Sequence, residues 1–120
     1  MWVKNIVRIF ANRNFRMEIR PENIEKMTLL AKAMGHPTRM EILAFLLEQD
    51  TCYFGDIHDV FPNAKATISQ HLKELKNAGL IQGEIEGPKV KYCINYENWE
   101  LARLLFADFF NVKPEKFCCD

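Results

Sequence analysis

The stretch whose reading decides the fold is Asn63-Ala64-Lys65-Ala66-Thr67-Ile68-Ser69-Gln70-His71-Leu72-Lys73-Glu74-Leu75-Lys76-Asn77-Ala78-Gly79-Leu80-Ile81. Placed on a helix at about 100° per residue, Ile68, Leu72 and Leu75 fall on one narrow stripe, while Ala66, Ser69, Gln70, Lys73 and Asn77 fall on the far side. The stripe is a packing face. The far side carries small groups, an amide and cations with no large apolar residue, which suits a helix lying in a DNA major groove about 12 Å wide. Gln70 offers a bidentate amide to adenine, Thr67 and Ser69 offer hydroxyls to bases or phosphates, and Lys65, Lys73 and Lys76 offer cations to phosphate. An ordinary surface helix with a solvated polar face has the same pattern, so the neighbouring segments decide between the two.

Immediately upstream, Cys52-Tyr53-Phe54-Gly55 leads into a short helix expected over Asp56 to Phe61, with Asp56 as its cap and Ile57, Val60 and Phe61 facing inward. Pro62-Asn63 then turns the chain into the longer helix. A short helix, a tight turn and a second helix with an exposed polar face make a helix-turn-helix. Two helices this short bury no core alone, and the segments before them supply a roof. One helix is expected from Pro21, with Glu22 and Glu25 early and Ile24, Met27, Leu30, Ala31 and Met34 at helical spacing until Gly35 stops it. A second begins at His36-Pro37-Thr38-Arg39 and runs through Met40, Ile42, Leu43, Phe45, Leu46 and Leu47, apolar over more than half its circumference and therefore central.

After Gly79 the period changes from 3.6 to 2. Ile81, Gly83 and Ile85 alternate with Gln82, Glu84 and Glu86; after Gly87-Pro88, Val90, Tyr92 and Ile94 alternate with Lys89, Lys91 and Cys93. This is a hairpin with one apolar face, its tip at Glu86 to Lys89. Helix-turn-helix followed by such a hairpin predicts a winged helix, mainly α with a small β-hairpin, whose Lys89 and Lys91 lie along a phosphate backbone. The last helix is expected from Asn98 to Asn111. Trp99, Leu101, Ala102, Leu104, Leu105, Phe106, Phe109 and Phe110 cover most of its surface, more than one small domain buries, and so predict a homodimer through the first and last helices. Such a dimer sets two reading helices about one DNA turn, roughly 34 Å, apart, as a palindromic operator requires.

The chain has 120 residues, room for one domain, and a formal net charge of zero, so affinity for nucleic acid has to come from local clustering of charge. Three regions are expected: a basic N-terminal extension over 1–20, the winged domain over 21–111 and a Cys-containing tail over 112–120. The extension sets Lys4, Arg8, Arg13, Arg16 and Arg20 against Glu18; it reads as an arm for DNA phosphate, as a frayed terminus, or as extra residues upstream of a start at Met17. No run of eighteen apolar residues marks a membrane span, and no cleavage pattern marks a secretory signal. The expected compartment is the cytoplasm, where the four cysteines are reduced thiols rather than a disulfide framework.

Three motifs carry a resemblance: Ala33-Met34-Gly35-His36-Pro37-Thr38-Arg39-Met40-Glu41-Ile42-Leu43, then Ile68 to Ile81, then the hairpin ending Lys91-Tyr92-Cys93-Ile94. Over about Pro21 to Asn111 the chain resembles the ArsR family of bacterial winged-helix repressors. The resemblance implies a homodimeric repressor that holds double-stranded operator DNA when free and releases it when an inducer binds. It implies that Ser69, Gln70, His71 and Leu72 lie where the recognition helix meets DNA, with Lys65, Thr67 and Lys73 beside them. His71 sits near the edge of the packed stripe, open between a structural hydrogen bond and a phosphate contact.

The inducer is less legible. Many metal-sensing members of that family carry Cys-x-Cys-Asp at the start of the third helix; the corresponding stretch here is Cys52-Tyr53-Phe54-Gly55-Asp56, with one thiol kept. The last helix has no histidine, which sets aside the family's other zinc site. Cys52 with the vicinal pair Cys118 and Cys119 suits a three-coordinate ion such as arsenite, or zinc or cadmium with His58 or water as a fourth ligand. The same thiols suit oxidant or reactive-sulfur sensing through a disulfide from Cys52 to the tail. Cys93, on the hairpin face opposite Val90 and Tyr92, is expected to lie apart from them. No activated nucleophile, Gly-rich phosphate loop or carboxylate pair points to an enzyme. A winged helix used for protein–protein interaction without ligand sensing is the alternative, with neutral net charge its best argument.

Overall fold

The computed structural model describes residues 21–50, 52–86 and 89–111, the last residues of the first hairpin strand (84–86) and the first of the second (89–90) by their backbone alone. Helix α1 spans Pro21–Met34 and α2 spans Pro37–Leu47. Pro21 fits the first helical position, and Met27, Leu30 and Ala33 recur every third residue as the buried line of α1. Gly35 ends it. His36 then caps α2 with its own ring, Nδ1 accepting from the Thr38 N–H at 3.1 Å. Thr38, Ile42, Leu43 and Leu46 are buried, whereas Met40 and Leu47 remain about half exposed, so α2 is central on one side only.

The expected third helix is a single 3-10 turn, Ile57–Asp59. Asp56 starts it as foreseen, accepting from the His58 N–H at 2.9 Å. Pro62 cuts it short, because a residue preceding proline is disfavoured in the α region and Phe61 leaves no room for another turn. Helix α3 spans Lys65–Asn77, and Ile68, His71, Leu72 and Leu75 are its buried residues. It ends in a Schellman arrangement: Leu80 N–H donates to Leu75 O at 3.1 Å and Gly79 N–H to Lys76 O at 3.0 Å. Gly79 adopts φ +82°, which glycine tolerates without cost.

Strands β1 (Ile81–Glu86) and β2 (Lys89–Ile94) pair antiparallel, with Ile81 opposite Ile94, Gly83 opposite Tyr92 and Ile85 opposite Val90. The apolar alternation of the two strands is therefore in register. Helix α4 spans Tyr96–Phe110 and starts two residues ahead of expectation, since the Asn95 side chain caps it by accepting from the Asn98 N–H at 3.2 Å. Leu30, Ala33, Ile42, Leu43, Leu46, Ile57, Ile68, Leu72, Leu75, Leu80, Ile81 and Ala102 form one core. The result is the expected winged helix-turn-helix, mainly α with a small hairpin.

One feature of the wing departs from expectation. Tyr53 forms a bridge to Tyr92 with both hydrogen bonds in place, Tyr53 N–H to Tyr92 O at 2.8 Å and Tyr92 N–H to Tyr53 O at 3.0 Å. One step along an antiparallel ladder the residues face each other without hydrogen bonds, at about 4.5 Å between Cα atoms. Cys52 and Cys93 occupy that step, their Cα atoms 4.4 Å apart, and are joined as a disulfide. Cys93 does not stand apart from Cys52. A one-residue bridge has no periodicity to read, which is why the sequence does not announce it.

Candidate nucleic-acid interface

The exposed face of α3 carries Lys65, Ala66, Thr67, Ser69, Gln70, Lys73, Lys76 and Asn77, all outside the buried stripe. Three lysines against Glu74 give the helix a net charge of 3 − 1 = +2 in a chain of zero net charge. Amides, hydroxyls and cations on one helix face, backed by a rigid apolar face, are what base and phosphate contacts in a groove require. Gln70 Nε2 donates to Glu74 Oε1 at 2.9 Å, an i, i+4 pair on the exposed face of the helix. Lys76 Nζ donates to Gly83 O at 3.2 Å, fastening the end of α3 to the wing.

His71 belongs to a different group. It is 7% exposed, so of the two roles the sequence leaves open the structural one is displayed here, and His71 is set apart from the exposed residues of the helix. Arg39 Nε donates to His71 Nδ1 at 3.2 Å, and Arg39 Nη1 donates to Ala33 O at 3.1 Å and Lys32 O at 3.3 Å. The His36 ring lies 4.3 Å from that of His71. One guanidinium thus ties the end of α1 and the start of α2 to the middle of α3. Burial, then the nearby charge of His36 and Arg39, hold the His71 pKa below the ordinary imidazole value.

Ser69, on the exposed face, has a partner that sequence reasoning did not name. His58 Nε2 lies 2.9 Å from Ser69 Oγ, and His58 Nδ1 lies 2.8 Å from Asp56 Oδ1. Hydrogen bonds from the His58 side chain and backbone hold the Asp56 carboxyl below its usual pKa. An Asp two residues before a His is a local turn signal, but nothing in the spacing ties that His to a serine eleven residues on.

In the wing, Lys91 is half-buried with Nζ 5.8 Å from the centre of the Phe54 ring, a cation held above an aromatic face. Lys89 begins β2, at the far end of the hairpin. Of the thiols, Cys52 is joined to Cys93, while Cys118 and Cys119 lie outside the described residues, as does the basic extension. Among the described residues no three His, Cys, Asp or Glu side chains gather closely enough to hold a metal ion. No helix among them is long and apolar enough to cross a membrane.

Helix α4 leaves much of its apolar surface uncovered: Leu101, Leu104 and Phe109 are 41%, 53% and 48% exposed and Phe110 is 75% exposed. Between α1 and α4 runs an apolar cleft of about 410 Å³ lined by Ala31, Met34, Trp99, Ala102, Phe106 and Phe110 among others.

The chain is similar to known proteins. The profile of the bacterial regulatory proteins of the arsR family matches residues 36–82. The uncharacterized HTH-type transcriptional regulator MJ1325 of Methanocaldococcus jannaschii is 39% identical over 66 residues, 55% of this chain and 74% of its own. The arsenical resistance operon repressor of Bacillus subtilis is 30% identical over 105 residues, 85% of this chain and 98% of its own. Among solved structures, HlyU from Vibrio cholerae N16961 is similar with a TM-score of 0.56 and 28% identity, covering 71% of this chain and 97% of that one.

Proposed function

The chain belongs to the ArsR family and is a DNA-binding transcriptional regulator rather than an enzyme; we propose that it is a homodimeric repressor released from a palindromic operator by a thiol-directed inducer. The observation that carries the DNA-reading part is the exposed polar face of α3, with Lys65, Thr67, Ser69, Gln70 and Lys73 on one side and Ile68, Leu72 and Leu75 locked into the core on the other. Lys76, Lys89 and Lys91 add phosphate contacts at the α3 end and along the wing. The uncovered apolar surface of α4 supports the dimer, since a patch of that kind on a small domain marks an interface. Two-fold pairing through α1 and α4 sets the two α3 helices about one turn of duplex, roughly 34 Å, apart. The cytoplasm is the proposed compartment.

The chemistry of the inducer turns on Cys52. Arsenite, zinc or cadmium bound through Cys52, Cys118 and Cys119 needs thiolates, and Cys52 paired with Cys93 is not one. The cross-strand pairing favours an oxidant or reactive sulfur as the signal: two thiols surrender two protons and two electrons to a peroxide or a small disulfide, and a dithiol reductant reverses the step. The bond fixes the segment that precedes the helix-turn-helix to the second strand of the wing. Metal or metalloid sensing requires that bond to open first.

Purified protein should shift a short palindrome from upstream of its own operon, with affinity falling steeply as salt rises. Salt-insensitive or absent binding supports the protein-interaction alternative instead. Peroxide should change DNA affinity in the wild type and leave a Cys52→Ser protein unaffected. A Cys52→Ser, Cys118→Ser, Cys119→Ser protein that still responds to peroxide, arsenite and cadmium rules out the thiol site.

A further inference from the structure

The geometry points to His58 and Asp56 as positioning residues that make Ser69 a hydrogen-bond acceptor toward DNA, so that Ser69 selects a base bearing an amino group and makes no phosphate contact. The inference rests on α3 being the DNA-reading helix, and it assigns a definite polarity to one residue on it.

A carboxylate accepts and does not donate, and Asp56 is held ionised by hydrogen bonds from the His58 side chain and backbone. Its Oδ1 stands 2.8 Å from His58 Nδ1, so Nδ1 carries the ring proton. In a neutral imidazole the other nitrogen is then bare, and Nε2 can only accept. Ser69 Oγ lies 2.9 Å from Nε2 and is the only one of the two with a proton to give. The hydroxyl hydrogen of Ser69 therefore points back toward the 3-10 turn, and the oxygen lone pairs face outward from an exposed helix position.

A free serine is indifferent, donating to guanine or thymine acceptors and to phosphate oxygen as readily as it accepts from amino groups. With its proton committed, Ser69 repels phosphate oxygen, guanine O6 and N7 and thymine O4. It matches the exocyclic amino groups of adenine N6 and cytosine N4. Each base pair shows one such donor in the major groove, so what Ser69 reads is which strand carries it. The same order of groups, carboxylate, imidazole and hydroxyl, orients the serine of hydrolytic triads by fixing the tautomer; in this helix the fixed tautomer serves recognition.

The test is selection from a pool of random duplexes by the full chain and its variants, with the free protein followed by nitrogen NMR of His58. Wild type should enrich adenine or cytosine at one position of each half-site. His58→Phe, which frees the hydroxyl, should lower that preference about five-fold, the worth of one hydrogen bond of about 1 kcal/mol, and leave the other positions unchanged. Ser69→Ala should lose the preference at the same position, and adding His58→Phe to it should change nothing further. NMR should find the ring proton on Nδ1 in the wild type and shifted toward Nε2 in Asp56→Asn. The inference is overturned if His58→Phe keeps the wild-type preference, if it weakens every position alike, or if the wild-type proton sits on Nε2. A wild-type protein that enriches no sequence overturns the DNA-reading role as well, so the two failures are distinguishable. The NMR measurement, made on the wild type alone, decides the tautomer even if His58→Phe folds poorly.

Discussion

Replacing Arg39 by Met tests the tie that holds α3 against the rest of the domain. The substitution keeps an unbranched apolar stem of similar reach and removes the guanidinium, with its hydrogen bonds to His71 Nδ1, Ala33 O and Lys32 O. The Lys32 carbonyl is exposed and regains water, so its loss costs little. The bond to Ala33 O, made by a charged donor and partly buried, is worth about 1.5 kcal/mol, and leaving the buried His71 Nδ1 without a partner costs about 1–2 kcal/mol more. The sum, about 3 kcal/mol, is a large share of the roughly 5–15 kcal/mol that holds a domain of this size together. At about 3–5 °C per kcal/mol for this length, the melting temperature should fall by roughly 10 °C when followed by far-UV circular dichroism at pH 7.5.

The same site sets a pH dependence. The folded pKa of His71 is lowered, chiefly by burial. Above the unfolded value of about 6.5 both states carry a neutral ring and the contribution is constant. As pH falls below that value the unfolded chain binds a proton that the folded chain refuses, so stability is lost from there down to the folded pKa. Asp56, and Glu100 whose carboxyl the Arg103 guanidinium holds below its usual pKa, lose their stabilisation only as pH falls through the carboxylate range and do not confuse the window. The wild-type melting temperature should therefore fall between pH 7.5 and 5.5, and by less in His71→Asn. An Arg39→Met protein that melts within about 2 °C of wild type, or a wild type that gains stability as pH falls through this window, refutes the reasoning.

Two further outcomes are expected. Gly79→Ala should cost about 1–2 kcal/mol in urea unfolding, since φ is +82° and an added Cβ would meet Asn98 Nδ2 at 2.7 Å; an unchanged midpoint removes the helix stop from the account. Leu101 and Leu104 lie on the uncovered side of α4, and changing both to Glu should convert a dimer of twice 14.1 kDa to monomer in sedimentation velocity with the fold retained. A wild-type chain that is already monomeric at working concentration counts against the proposed assembly.

What was legible in the sequence was set by period. Ile68, Leu72 and Leu75 could be placed because a helix repeats them on one stripe, and Ile81 to Ile94 because strands alternate; both patterns survive folding unchanged. Caps were partly legible. Asp56 announced its turn, but Asn95 did not announce that α4 begins at Tyr96, because an Asn before a helix is equally a loop residue. Illegible were the contacts that need three-dimensional closeness between unlike elements. Cys52 meets Cys93 across 41 positions through a single bridge residue, and Ser69 meets His58 across a turn. His71 lay near the boundary of the stripe, where an angular reading does not separate buried from exposed; Arg39, 32 residues away, is its hydrogen-bond partner there.

The central claim is that the outward side of α3 reads bases through Gln70 and grips phosphate through Lys73. Binding measured by fluorescence anisotropy on a selected duplex and on its single-base variants separates the two directly. Gln70→Ala should erase about 1–3 kcal/mol of discrimination at one base pair, while Lys73→Ala should weaken every duplex alike and lower the salt slope by about 1. Equal losses on all duplexes from both substitutions would contradict the assignment of the reading face.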